Sequence, residues 1–170
     1  DPGNPTLSAA ELKAYAEGSI KDLARLARGE VAGYDVIPAG PTVLAALRPP
    51  TRLTPEGQIS AIDIASRWRG EDAQTVLANV LTDGRRPVAV RVAAANALIR
   101  SMQQFGPLLT GEQVRALDAL YAQPNLEEAL RTSVALVIGS LRPNARLTGE
   151  RLLRYQPPTP GAPPPAKKEK

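Results

Sequence analysis

Arg67-Trp68-Arg69 places the chain's only tryptophan between two cations, a pattern that could stack a nucleobase or hold an anionic ligand. Packing of the indole, at a helix end beside Gly70, against the next turn is the plainer expectation, because the other aromatic residues are scattered. Arg85-Arg86 precedes Pro87 in a short connection and is expected to be exposed. With Arg48, Arg52, Arg142 and Arg146 near other helix ends, it would make one rim positive. Cations at helix C-termini also complement the helix dipole without any ligand. The same dipole accounts for the carboxylate pairs Glu71-Asp72 and Glu127-Glu128 in first turns.

Catalytic options are few. With no histidine and no cysteine there is no imidazole base, no thiolate nucleophile and no cysteine-based metal or iron–sulfur site. No carboxylate pair is spaced for acid–base work, so no catalytic, cofactor-binding or metal-ligating residue is assigned, and no cofactor is expected. The candidate interaction surface comprises Arg85, Arg86, Asn96, Arg100 and Gln103.

The charge balance limits the partners. Lys and Arg total 21 against 17 Asp and Glu, for a net +4, and Lys167-Lys168-Glu169-Lys170 supplies half of that excess. The rest is close to neutral, so nucleic acid is not the expected partner. No apolar run approaches the roughly 18 residues of a membrane span. No basic-then-apolar leader stands at the N-terminus. The first residue, Asp1, leaves both a processed or exported mature form and a fragment open, and with them the compartment.

The elements that carry these residues read as helices almost throughout. Ser8 with Glu11 forms a capping box ahead of Leu12, Ala16, Ile20, Leu23 and Ala27, which share a face; Gly29 is the stop. Residues 31–50 are broken by Gly and Pro, with room for one short helix near Thr42. Further helices are expected from Thr54-Pro55 to about Trp68, Glu71 to Leu81, Pro87 to about Gln104, Thr110 to about Gln123, Leu126 to Leu141, and from Thr148 to Pro157. No segment alternates with period two, so no sheet is expected. The helix over 87–104 is apolar on most of its circumference, leaving Asn96, Arg100, Gln103 and Gln104 as its polar stripe. It is therefore expected to be the most buried. Three parts follow: an N-terminal helix with an irregular Pro/Gly-rich connection over 1–52, helical repeats over 53–156, and a disordered, Pro-rich basic tail over 157–170.

A shift of forty residues superimposes the repeats. Leu77 falls on Leu117, Val80 on Leu120, Val90 on Leu130, Arg91 on Arg131, Ala95 on Ala135 and Leu98 on Ile138. Two helices per unit at this period is the signature of HEAT or armadillo arrays. Val90-Arg91-Val92-Ala93-Ala94-Ala95-Asn96-Ala97-Leu98 resembles the opening of the HEAT inner helix, and Leu130 to Gly139 is a looser copy. The resemblance covers residues 53 to about 155. It implies an all-α fold, a short right-handed α-solenoid of antiparallel helix pairs preceded by an N-terminal helix and irregular linker. It also implies that Arg91 and Arg131 tie helices together.

The function expected on this reading is that of a non-enzymatic scaffold or protein–protein interaction module in a larger protein or assembly. Its partner would be another protein or subunit. The alternative is an anion-binding module, for nucleic acid or an acidic polymer, that uses the arginine-rich rim.

Overall fold

The computed structural model describes residues 7–141. They form seven α-helices: α1 (Ala9–Ala27), α2 (Gly40–Leu47), α3 (Pro55–Ala65), α4 (Glu71–Thr82), α5 (Val88–Phe105), α6 (Gly111–Tyr121) and α7 (Glu128–Leu141). A single 3-10 turn, Ile37–Ala39, leads into α2. Among the described residues there is no strand. The helix expected from Thr148 and the tail over 157–170 lie outside these residues.

Local chemistry sets the helix starts. Ser8 accepts from the Glu11 amide at 3.3 Å while the Glu11 carboxylate accepts from the Ser8 amide at 2.7 Å, closing the capping box of α1. The Ser8 hydroxyl, which donates to the same carboxylate at 2.7 Å, and then the Ser8 amide hold the Glu11 carboxyl below its ordinary range. Thr110 and Gln113 repeat the device at α6. Thr54 caps α3, with Pro55 at the first helical position. Helix α3 stops at Ala65, three residues before the expected Trp68, because the Ser66, Arg67 and Trp68 amides turn back onto Ile62, Ile64 and Ala65. Helix α5 ends on Gly106, whose φ of 81° suits a residue without Cβ.

Packing follows a regular order. Consecutive helices touch as α2 with α3, α4 with α5, and α6 with α7. Each also meets the helix two places on: α1 with α3, α2 with α4, α3 with α5, α4 with α6, and α5 with α7. One apolar cluster runs through all of them, with Ile20, Val43 and Leu47 in the same core as Leu77, Leu98 and Leu117. Helix α5 is the central one, and Val90, Ala94, Ala95, Ala97 and Leu98 are fully buried. Helix α4 is just as thoroughly enclosed from Ala73 to Leu81, because it too lies between neighbours.

Helix α1 docks onto the start of α3 through a carboxylate. The Thr54 amide donates to Glu17, and a Cβ on Gly57 would collide with the Glu17 carboxylate. The glycine leaves room for an acid beside the N-terminal dipole of α3.

Candidate interaction surface

The five candidate residues do not form one patch. Asn96, Arg100 and Gln103 are exposed on α5, as their stripe implied. Arg85 lies before the other end of that helix, and a rise of ~1.5 Å per residue puts it roughly 20 Å from Arg100 along the axis. Its guanidinium is held by Asp83, with Nε 2.9 Å from Oδ1. That bond is the main reason the Asp83 carboxyl lies below its ordinary range.

Arg86 corrects the expectation of an exposed rim. It is buried, 8% exposed, and donates to Gln58 Oε1 at 2.6 Å, to the Leu47 carbonyl and to Asp83 Oδ2 at 3.3 Å. These contacts tie the end of α2, the start of α3 and the α4–α5 turn together. A guanidinium accepts such a site because each of its three nitrogens has an acceptor in a fixed direction.

Arg91 is equally buried, and its Nε donates to the Leu81 carbonyl at 2.8 Å. Leu81 lies in the last turn of α4, where carbonyls lack helical partners. Burial holds the Arg91 guanidinium below its ordinary value. Arg131 donates to Tyr121 O at 3.0 Å, to Gln123 O at 2.6 Å and to Pro124 O at 3.1 Å, closing the end of α6.

Three further arginines converge on Asp63. Arg100 approaches at 3.2 Å, Arg28 at 3.5 Å and Arg67 at 3.7 Å, from α5, from the end of α1 and from just beyond α3. Arg28 also binds Glu30 at 2.7 Å. These partners are far apart in sequence, and only Arg67 stands in a helical i,i+4 relation that spacing would show.

Two features lay beyond the sequence signals. Gln74, fully buried, donates to Gly106 O at 2.8 Å and accepts from the Leu108 amide at 2.8 Å, so it fixes the connection between α5 and α6. Trp68 is half-buried, and its ring would lie 3.5 Å from a Cβ on Gly40. It lines an open cavity of about 820 Å³ between α2 and the start of α4, with Ile37, Leu44, Arg48 and Arg69. A second cavity of about 330 Å³ adjoins at Arg48 and continues between α2 and α4 past Val76 and Asp83. Among the described residues, no group of three acidic side chains is placed to hold a metal ion. Comparison with family models, curated proteins and solved structures finds no match to this chain.

Proposed function

We propose that this chain is a helical-repeat module of the HEAT type, a short right-handed α-solenoid that holds another protein or subunit and catalyses no reaction. The observation that carries this reading is the bond made twice at a forty-residue interval. Arg91 closes the end of α4 on Leu81, and Arg131 closes the end of α6 on Tyr121. Burial keeps the same period, since Leu77 and Leu117, Val80 and Leu120, and Val90 and Leu130 are all buried. The contacts within the pairs α2–α3, α4–α5 and α6–α7, and of each helix with the one two places on, suit two stacked rows, α2-α4-α6 and α1-α3-α5-α7. In such a stack the surface is extended, which favours a partner that lies along it.

The alternative, a polyanion-binding rim, is less well supported by the arginines themselves. Arg86 and Arg91 are buried, Arg85 is bound to Asp83, and Arg28, Arg67 and Arg100 share Asp63. Native co-purification of the full chain, with and without nuclease, tests the proposal. A protein present in stoichiometric amount that survives nuclease supports it. Co-purifying material that consists of nucleic acid, or is lost with it, sinks it.

A further inference from the structure

One short pattern, Leu-Thr followed by Pro or Gly and then Glu, stands three times in the chain: Leu53 to Glu56, Leu109 to Glu112 and Leu147 to Glu150. In the first two copies it starts a helix and anchors it. The Thr54 hydroxyl accepts from the Gly57 amide at 3.2 Å, and the Thr110 hydroxyl from the Gln113 amide at 3.3 Å. Leu53 is buried in the core and Leu109 packs against it. The third copy lies outside the described residues and begins six residues past Leu141, the end of α7. The residues after it divide by helical angle. Leu152, Leu153 and Tyr155 fall on one side and Glu150, Arg151 and Arg154 on the other, before Pro157 and Pro158 break the pattern.

The end of the stack has a place for such a helix. The forty-residue shift carries Ala78, Leu81, Ala95 and Leu98 onto Asp118, Tyr121, Ala135 and Ile138. The first four are buried, on α4 and α5, which α6 and α7 cover. The second four, with Gly139, line an open cavity of about 180 Å³, and Asp118 and Tyr121 are exposed. Among the described residues no helix follows α6 in its row.

We infer that residues 147–156 dock on this face as an eighth helix and close the α2-α4-α6 row; this rests on the stacked rows of the repeat-module reading. Reach selects this occupant. Five residues, 106–110, carry α5 into α6, and seven, 142–148, separate Leu141 from Gly149, with Pro107 and Pro143 each second in its connection. A tether this short holds the segment at an effective concentration far above that of a second copy. Charge agrees with the placement. Asp118 is the one charged residue lining the cavity, and residues 142–156 carry Arg142, Arg146, Arg151 and Arg154 against Glu150. An uncovered end of a repeat stack invites association, so the helix keeps this end closed and leaves the flanks of the rows to a partner.

Because the chain has no cysteine, one introduced thiol reads the cover directly. Gly139→Cys lines the cavity, and a Cβ at Gly139 meets nothing within 4 Å. Thr132→Cys, exposed on the same helix, is the control. In the full chain the thiol at position 139 should react with a maleimide at least about tenfold more slowly than the thiol at 132. Leu152→Ser with Tyr155→Ser should raise the rate at 139 by at least about tenfold and leave the rate at 132 unchanged. Circular dichroism checks that this variant is folded. A second measurement keeps the apolar residues of the segment. The register of the second and third copies sets Gln156 level with Asp118. Gly139→Cys with Gln156→Cys should therefore be bridged within one chain by a short bis-maleimide, and this bridging decides alone if the serine variant loses its helical signal. Equal reaction at 139 and 132, an unchanged rate in a folded serine variant, or bridging only between two chains would each overturn the inference. Protection that rises with protein concentration, together with a dimer in sedimentation, would assign the face to a second copy and overturn it too. None of these results bears on what co-purifies with the chain, which decides the repeat-module reading.

Discussion

Arg91 reaches ten residues back along the chain to bond the Leu81 carbonyl, and forty residues later Arg131 makes the same reach to Tyr121. In both, a side chain of the second helix of a pair satisfies a carbonyl at the end of the first. A C-terminal carbonyl has no helical donor, so the arginine both caps one helix and fixes the angle of the next.

Arg91→Ala should therefore lower stability by about 1–3 kcal/mol, since a charge-assisted bond is lost and a carbonyl left unpaired. The urea midpoint reads this. Arg131→Ala should cost less, because Arg131 is only partly buried and water replaces its donors. An Arg91→Ala protein as stable as the parent would remove the structural role.

Arg85 and Arg86 should separate cleanly. Arg86→Ala leaves Gln58 Oε1 and the Leu47 carbonyl without donors, so a loss of about 2–3 kcal/mol is expected. Arg85→Ala should cost only a small part of that, because the side chain is 80% exposed and water screens its bond to Asp83. Equal effects would contradict the burial of Arg86.

Asp83 gives the acid limb a specific contributor. Its carboxyl lies below the ordinary value of 3.8, chiefly through the Arg85 bond, so the folded state binds the proton more weakly than the unfolded one. The stabilisation is present above that ordinary value and is lost as the pH falls through the lower folded one. Asp83→Asn should lower stability at neutral pH and flatten its decline between about pH 5 and 2. Urea unfolding across that range checks it, and an unchanged slope would contradict it.

The sequence showed helices where capping is local. Ser8 with Glu11, Thr54 with Pro55, and Thr110 with Gln113 start helices by bonds spanning only three residues or by a fixed φ. It did not show which arginine of the adjacent pair Arg85-Arg86 turns inward. That depends on Gln58 and Leu47, 28 and 39 residues away, and hence on how α2 and α3 pack. The groove at Trp68 was hidden for the same reason, as its walls come from two helices joined only by packing. Residues 31–50 look irregular by their prolines and glycines, yet Val43, Leu44 and Leu47 belong to the core.

Glu17 and Gly57 make a related prediction. Glu17→Ala removes the acceptor of the Thr54 amide and the anion at the N-terminus of α3, for a loss of about 1 kcal/mol. Gly57→Ala should reproduce part of that loss by displacing the carboxylate. Additive effects in the double variant would show that the two positions are uncoupled and contradict this contact.

The choice between a protein-holding module and a polyanion binder rests most directly on a fluorescence-anisotropy titration with duplex and single-stranded oligonucleotides at two salt concentrations. Tight binding at physiological ionic strength needs roughly six or more phosphate contacts, and the described arginines are largely committed to carboxylates and carbonyls. The predicted result is no measurable binding at physiological salt. Any weak binding at low salt should vanish when Lys167, Lys168 and Lys170 are replaced by glutamine. Tight binding at physiological salt that survives those replacements would contradict the account.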